Sequence, residues 1–196
     1  MPSALRSIGA PLGAVMRGWL LPVVAASVAA GLVAASPAQA GIPYTAYVAN
    51  WGAGTVTPIN TATHALGAPI SVGVWPTGVA ITPDGKTAYV TNSGSNSVTP
   101  IALASNTAGA PITVGAAPVG VAISANGASA YVANSGFNTV TPIAVATNTA
   151  GAPITSGNGP WGIAITPDGA TAYIANLGDV GFTGDTASGS TTVSVG

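Results

Sequence analysis

Charge is what this sequence most conspicuously lacks. Its 196 residues include three basic and four acidic side chains, and two of the basic ones, Arg6 and Arg17, lie in the first forty residues. Beyond residue 40 the chain therefore has almost nothing with which to neutralise phosphate groups. We expect no nucleic-acid partner and no membrane partner for that part of the chain. A neutral glycan or a protein is the kind of ligand that such a surface favours.

Cysteine is absent, glutamate is absent, and His64 is the single histidine. The chain has neither a disulfide framework nor a thiolate metal site. Acid–base and nucleophilic catalysis need titratable groups that converge, and few are available here. We expect no catalytic residues and no cofactor. We interpret His64 as a solvated loop residue, and Asp84 and Asp168 as turn residues.

The first forty residues have the composition of a signal peptide. Arg6 and Arg17 precede an uncharged apolar run at 19–35, and Ala38-Gln39-Ala40 is a small-x-small cleavage site. We predict that residues 1–40 are removed and that the product is secreted, either extracellular or held at the cell surface. A membrane anchor is the alternative, because the run approaches the roughly 17 residues that a spanning helix needs. Pro22 and Pro37, within and after the run, favour the signal peptide.

The rest of the chain, residues 41–196, is one repeat domain with a period of forty-two residues. The period is marked by the regular spacing of Tyr47, Tyr89, Tyr131 and Tyr173. The copies are 47–88, 89–130, 131–172 and a partial copy, 173–196. A fixed period of this length is typical of solenoids, propellers and arrays.

Each copy contains four short segments with the composition of β-strands. In the second copy these are 88–91, 97–101, 110–114 and 120–124, separated by turns rich in Gly, Pro and Asn. Thr82-Pro83-Asp84-Gly85 is a tight-turn sequence, in which Pro fixes its own φ, Asp caps the turn and Gly takes a positive φ. Four antiparallel strands per repeat predict an all-β chain of β-propeller blades, with a solenoid as the alternative.

Several motifs resemble those of a known family. Tyr89-Val90-Thr91-Asn92, Pro118-x-Gly120-Val121-Ala122-Ile123 and Thr166-Pro167-Asp168-Gly169 are similar to motifs of the YVTN β-propeller repeat proteins, which include surface-layer-type and lactonase-like propellers. The resemblance implies that the Gly-Val-Ala-Ile strand is innermost. The Tyr strand, the Val-Thr-Pro-Ile strand and the Ala-Pro-Ile strand would follow outwards.

Proline positions give partly independent support for that order. Pro69, Pro111 and Pro153 cannot donate to a strand ladder and so belong on an edge. Another set, Pro58, Pro100 and Pro142, falls in the third strand, which should pair on both sides. We therefore predict either a bulge there or a short, loosely paired outer strand.

Closure of a propeller is not expected. Residues 41–196 hold about 3.7 repeats, whereas propellers typically have four to eight blades. The first copy begins at a second strand, and the last departs from the pattern after Asn176. There 178–190 reads as an insertion, and 191–195 as a substitute third strand. We predict two complete and two partial blades, in an open arc or an imperfect four-bladed ring. The exposed end sheets invite self-association.

Four aromatic residues are candidates for ligand binding, because most of the other copies have Ser, Ala, Gly, Val or similar residues at their positions. Trp51 and Phe137 follow Tyr strands, and Trp75 and Trp161 lie in crossovers to the next blade, so all four are predicted on one face. They would form a platform for a neutral ligand; alternatively, they fill gaps between blades. The repeated tyrosines are predicted core residues. Asn176, Asp179 and Asp185 form a weak candidate Ca²⁺ site in a glycine-rich loop.

The leading hypothesis is a secreted, non-catalytic propeller repeat protein that acts as a binding or scaffold module at or outside a bacterial cell surface. One alternative is a lactonase-like hydrolase, which would need polar groups converging on the innermost strands. Another is a truncated fragment of a longer propeller, without independent function.

Overall fold

The computed structural model describes residues 44–178 and 190–194, and all its regular elements are β-strands. The predicted signal peptide lies outside these residues. Nowhere in the described part of the chain is there a helix long and apolar enough to cross a membrane. The strands are β1 (Thr45–Asn50), β2 (Thr55–Asn60), β3 (Ile70–Ser71), β4 (Pro76–Ile81), β5 (Thr87–Asn92), β6 (Ser97–Ala102), β7 (Thr107–Ala108), β8 (Ile112–Thr113), β9 (Pro118–Ile123), β10 (Ser129–Asn134), β11 (Thr139–Ala144), β12 (Thr149–Ala150), β13 (Ile154–Thr155), β14 (Pro160–Ile165), β15 (Thr171–Asn176) and β16 (Ser190–Ser194).

The repeat appears as four antiparallel sheets, which we number as blades. Blade 1 has the order β1-β2-β3, and blade 4 has the order β14-β15-β16. Blade 2 has the order β4-β5-β6-β7, with β8 also paired to β6; blade 3 repeats it as β9-β10-β11-β12, with β13 on β11. The prediction of two complete and two partial blades is confirmed. The fold is of an incomplete propeller type, not a closed barrel.

The first strand of each complete blade lies innermost. Strands β4, β9 and β14 pack against one another in series, and β1 packs against β4. Glycine makes this close approach possible: a Cβ on Gly78 would lie 2.5 Å from the carbonyl oxygen of Val119 in the next blade. A Cβ on Gly120 would meet the carbonyl oxygen of Trp161 in the same way. The strand order that the family resemblance implied is confirmed.

The outer strand is broken in two where proline lies in the third strand. On one side of β6, Pro100 is paired with Tyr89 of β5. On the other side, β7 pairs with residues 101–102 and β8 pairs with residues 97–98, so neither strand pairs with Pro100. Its carbonyl oxygen accepts a hydrogen bond from the Gly109 N–H at 2.7 Å. The prediction of a short, loosely paired outer strand is confirmed. The turn after β6 ends at Asn106 (φ 51°), because residues 107–108 already pair with β6 as strand β7.

Hairpin tips have the predicted turn chemistry. Gly85 has a φ of 69° and donates its N–H to the Thr82 carbonyl oxygen at 2.8 Å. Asp84 Oδ1 accepts hydrogen bonds from Thr82 Oγ1 at 2.6 Å and from the Lys86 N–H at 3.1 Å. In blade 3, Asn126 Oδ1 takes the same place, accepting from Ser124 Oγ at 2.7 Å. In blade 4, Asp168 Oδ1 likewise accepts hydrogen bonds from Thr166 Oγ1 and the Ala170 N–H. The three hairpin tips therefore share one geometry, with either a carboxylate or an amide as acceptor.

Consecutive blades pack through two kinds of surface. We call the side of a blade that carries its repeated tyrosine, such as Tyr89, the tyrosine face. The side of the next blade that packs on it, which carries Val132 and Ile143 in blade 3, is the receiving face. Tyr89 of blade 2 is fully buried against Ala130, Val132 and Ile143 of blade 3. Its hydroxyl donates to Asn148 Oδ1 of blade 3 at 2.6 Å, and Tyr47 of blade 1 donates likewise to Asn106 of blade 2 at 2.9 Å.

The prediction that all four tyrosines are core residues is wrong for the last. Tyr89 and Tyr131 are buried and Tyr47 is half-buried, but the Tyr173 side chain is 51% exposed. Along β15 the alternate residues Ala172, Ile174 and Asn176 are buried, whereas Tyr173 and Ala175 are exposed. One side of blade 4 therefore packs on blade 3, and its tyrosine face is open.

The substitute third strand predicted for blade 4 is present. Strand β16 pairs antiparallel with β15, and Thr192 is the partner of Tyr173. Thr192 thereby occupies the position that Pro100 has in blade 2 and Pro142 in blade 3. The observed strand is displaced by one residue from the predicted one, and Val195 lies outside the described residues.

Candidate ligand-binding face

Two sets of loops meet at one end of the blades. The turns that follow the Tyr strands and the crossovers between blades are joined by backbone hydrogen bonds: Ser93 N–H to Trp75 O at 3.0 Å, Ser135 N–H to Ala117 O at 3.0 Å, and Leu177 N–H to Gly159 O at 2.9 Å. The prediction that both sets emerge on the same side is thus borne out by the geometry. We call this end the aromatic face; it comprises loops 51–54, 72–75, 93–96, 114–117, 135–138 and 156–159.

Trp51 and Trp75 form a stacked pair on the aromatic face. Their ring centroids are 5.3 Å apart and their planes are inclined by 14°. The side chains are 57% and 48% exposed, and the neighbouring Val74 is also exposed. Offset-stacked aromatic pairs are worth about 0.5–1.5 kcal/mol beyond the area that they bury. The pair is therefore an ordered apolar surface that is open to solvent.

Trp75 is held in place by hydrogen bonds to its backbone and by contact of its ring with Gly94. Its carbonyl oxygen accepts hydrogen bonds from both the N–H and the Oγ of Ser93, each at 3.0 Å. A Cβ on Gly94 would lie 2.9 Å from Trp75 Cε3, so the indole rests on that glycine. The ring thus lies between Gly94 of blade 2 and the Trp51 ring of blade 1.

The backbone of Trp75 has a φ of 54°, a region that costs a bulky residue about 1–2 kcal/mol. Its equivalents in the later copies are Ala117, with a φ of 47°, and Gly159, with a φ of 60°. The crossover therefore requires the left-handed conformation in each described copy, and it does not require tryptophan. The fold accommodates Trp75 at a position where glycine would be less strained.

Phe137 and Trp161 are also exposed but do not join the stacked pair. Phe137 lies in loop 135–138, as predicted. The prediction that Trp161 lies in a crossover is wrong, because it is the second residue of β14, with its backbone next to Gly120. Neither makes an aromatic ring contact within the described part of the chain. Of the four aromatic residues that the sequence singled out, the structure brings together Trp51 and Trp75 only.

Within the described residues, the ionisable side chains other than tyrosine are segregated from the aromatic face. Asp84, Lys86 and Asp168 lie at the hairpin tips, and His64 lies in the turn after β2; these are at the opposite end of the strands. The described loops of the aromatic face contain no Asp, Lys or His. A ligand on this face would meet indole rings, small side chains and backbone polar groups.

The opposite end contains a cleft of about 350 Å³ between the hairpin tips of blades 2 and 3. Its lining includes Asp84, Asn126 and Val145. Hydrogen bonds from the Thr82 hydroxyl and the Lys86 N–H lower the pKa of Asp84, and the equivalent bonds from Thr166 and Ala170 lower the pKa of Asp168. Both carboxylates are therefore ionised turn caps. Lys86 Nζ lies 3.6 Å from Asp84 Oδ2, a pair exposed to solvent.

His64 is a turn residue, and two of the three candidate calcium residues lie outside the described residues. His64 has a φ of 59° and donates its N–H to the Asn60 carbonyl oxygen at 2.8 Å, as a turn residue does. Asn176 is buried at the end of β15, and Asp179 and Asp185 lie outside the described residues. No cluster of three acidic or histidine side chains suited to a metal ion occurs among the described residues.

Sequence reasoning missed a buried asparagine clamp, although the signal was present. Asn92 Nδ2 donates to Ser97 Oγ at 3.2 Å and to Thr99 Oγ1 at 3.0 Å, and its Oδ1 accepts from the Gly73 N–H at 3.1 Å. Asn50 clamps Thr55 and Thr57 in the same way, and Asn134 clamps Thr139 and Thr141. An Asn followed five and seven residues later by Ser or Thr, in consecutive copies, is a pattern that could have revealed it.

Comparison with known proteins gives structural neighbours and no family. The chain matches no protein-family model. It also matches no curated protein sequence. It is similar to a solved chain of Kuenenia stuttgartiensis hydrazine synthase, a propeller-containing protein, with a TM-score of 0.71 and 29% identity over 76% of this chain and 42% of that one. It is also similar to a functionally unknown protein from Desulfotomaculum acetoxidans, with a TM-score of 0.57 and 21% identity over 62% of this chain and 41% of that one. This chain thus spans less than half the length of either neighbour, and the shared feature is a β-propeller-like fold.

Proposed function

We propose that this chain is a secreted, YVTN-type propeller repeat protein that works as a non-catalytic binding or scaffold module at or outside the bacterial cell surface. The observation that carries the proposal is the exposed Trp51–Trp75 stack on an end of the blades whose described loops have no charge. Apolar faces of neutral sugars and uncharged protein segments are the ligands that such a surface suits.

Three features support a binding role for the stack. The repeat does not require either ring, because the equivalent positions hold Ser93 and Ala117 in the next copy. The chain tolerates backbone strain at Trp75. Two large indoles remain open to water, and retained strain at an exposed aromatic residue is more typical of a recognition site than of packing.

Binding is favoured over catalysis by the composition of the innermost strands. Strands β4, β9 and β14 read PTGVAI, PVGVAI and PWGIAI and contain no ionisable side chain. A lactonase-like hydrolase would need groups that activate water and stabilise charge where these strands meet. One structural neighbour, hydrazine synthase, is named as an enzyme, and that name describes the neighbour and not this chain. The inner strands here offer no group to carry catalysis.

A binding screen tests the proposal. The purified protein is titrated with neutral oligosaccharides of several linkages, and binding is measured by calorimetry. We expect one class to bind, and Trp51→Ala to weaken it at least about tenfold, which corresponds to about 1.4 kcal/mol. The melting temperature should fall by no more than about a few degrees, because the exposed Trp51 ring contributes to stability mainly through its stack on Trp75. Phe137→Ala is the matched control, since Phe137 is an exposed aromatic residue outside the stack, and it should leave affinity unchanged.

Two outcomes would contradict the proposal. In one, Trp51→Ala and Phe137→Ala weaken binding equally, so that the stack is not the site. In the other, Trp51→Ala unfolds the protein, so that the ring has a packing role between blades 1 and 2.

A further inference from the structure

The contact between a tyrosine face and the next receiving face repeats with a constant register. Tyr47 donates its hydroxyl to Asn106, and Tyr89 donates to Asn148, in each case fifty-nine residues further along the chain. The acceptor lies in a turn, and its φ is 51° in Asn106 and 53° in Asn148. Around this bond the apolar residues of both faces are buried. The receiving face of a blade therefore accepts the tyrosine of the preceding blade at a fixed position, the turn that carries Asn106 or Asn148.

The receiving face of blade 1 is exposed although its residues match those buried in the later copies. Val48 and Ile59 are partly exposed, whereas their equivalents Val90 and Ile101 are fully buried. Leu66 is 71% exposed at the position of Ala108, which packs in the interface between blades 1 and 2. This face has the composition of an interface and no blade against it in the described chain.

His64 completes the match, because it occupies the acceptor position. It lies forty-two residues before Asn106 and has the same left-handed conformation, with a φ of 59°. A neutral imidazole has a nitrogen that accepts a hydrogen bond, as the Asn106 oxygen does. At the other end of the array, Tyr173 is 51% exposed on the open tyrosine face of blade 4, beside exposed Ala175.

We propose that two copies of this chain associate head to tail, with the tyrosine face of blade 4 in one copy packed on the receiving face of blade 1 in the next, and Tyr173 donating to His64. The contact repeats an interface that already occurs within the chain. It is heterologous, so it extends to further copies unless the rotation closes a ring. It does not depend on the ligand of the aromatic face.

The first test is the mass of the purified protein in solution over a range of concentrations, measured by light scattering and sedimentation. We expect a concentration-dependent series that begins with the dimer. Tyr173→Phe should weaken association severalfold, because one hydrogen bond is lost. His64→Asn should strengthen it, since Asn is the acceptor in the two equivalent internal contacts. A monomer at every concentration would overturn the proposal.

The decisive test mixes two blocked variants. Leu66→Asp places a charge on the receiving face, and Tyr173→Asp places one on the tyrosine face; each variant alone should be monomeric. The Leu66→Asp variant keeps an intact tyrosine face, and the Tyr173→Asp variant keeps an intact receiving face. Their mixture should therefore form a one-to-one dimer that grows no further. Ala175→Asp replaces Tyr173→Asp if the latter lowers the melting temperature. Phe137→Asp, an equally exposed site on an internal blade, should leave association unchanged.

Results that would contradict the head-to-tail contact differ from those that would contradict ligand binding at the aromatic face. If the mixture remains monomeric, or if either blocked variant alone still associates, the head-to-tail contact is wrong. Oligosaccharide binding through Trp51 would be unaffected by either result, because the aromatic face is separate from both end faces.

Discussion

The hydroxyl oxygen of Tyr89 lies 2.6 Å from Oδ1 of Asn148, in the following blade. The ring of Tyr89 is fully buried, and burial raises its pKa. This bond fixes the register between blades 2 and 3, while the surrounding apolar side chains supply the contact area. The same relationship links Tyr47 and Asn106 between blades 1 and 2.

The tyrosine bond gives a first prediction. Tyr89→Phe should destabilise the protein by about 1 kcal/mol, because a buried hydroxyl bond is lost and the Asn148 oxygen loses a donor. The free energy of unfolding in urea measures the change. Tyr173→Phe is the matched control: Tyr173 is exposed, so under dilute conditions it should cost less than about 0.5 kcal/mol. Equal effects of the two substitutions would contradict the blade order.

The asparagine clamp gives a second prediction. Asn92→Ala removes three hydrogen bonds and leaves Ser97, Thr99 and the Gly73 N–H without their shared partner. We expect a loss of about 2–3 kcal/mol, since buried polar groups without partners are costly. Asn50→Ala should cost less, because Asn50 is only half-buried. Chemical denaturation of both variants measures the difference, and a larger loss for Asn50→Ala would count against the clamp.

Two equivalent glycines give a third prediction, about the open end. A Cβ on Gly120 would collide with the Trp161 carbonyl oxygen, whereas on Gly162 it would lie 3.7 Å from the Ala175 Cβ, an ordinary contact. Gly120→Ala should therefore cost about 2 kcal/mol or more, and Gly162→Ala less than about 0.5 kcal/mol. Thermal unfolding measures both. If Gly162→Ala were the more damaging, another segment would have to lie against blade 4.

Acid sensitivity gives a fourth prediction. The hydrogen bonds that lower the pKa of Asp84 and Asp168 favour the carboxylate in the folded state. The contribution of these hydrogen bonds to folding stability is fully present above the ordinary aspartate pKa of about 3.9. It is lost as the pH falls through the lower pKa of the folded state. Asn126 accepts equivalent bonds in blade 3 without titrating. The double variant Asp84→Asn, Asp168→Asn should fold and should show a shallower fall of melting temperature between pH 5 and pH 2. An unchanged acid slope would contradict this role.

The blade architecture was largely predictable from the sequence, because strand and turn signals are local and recur every forty-two residues. Pro100 also predicted a bulge or a short, loosely paired outer strand, and the second was found, since a residue without an N–H cannot donate to the next strand. The exposure of Tyr173 does not follow from its own copy, which resembles the others as far as Asn176, because burial depends on whether another blade packs beside it. The predicted open end of the array could have indicated it.

The candidate site was predictable only in part. Strand alternation placed Trp51, Trp75, Phe137 and Trp161 at one end of the array, but the stacking of two of them depends on backbone angles that the sequence does not display. Trp75 reaches Trp51 because its φ of 54° and the bare surface of Gly94 give the ring room. The Asn92 clamp was hidden because asparagine before a turn has an ordinary local explanation, and its partners belong to the following strand.

The most direct test of the account is the response of individual indole groups to a bound ligand. Residues 41–196 contain three tryptophans, Trp51, Trp75 and Trp161, and so three indole N–H signals in a proton–nitrogen NMR spectrum. On titration with an oligosaccharide that the screen identifies, the signals of Trp51 and Trp75 should shift together and saturate, while that of Trp161 stays in place. A shift of Trp161 alone, or saturable binding with neither Trp51 nor Trp75 perturbed, would contradict the proposed binding face.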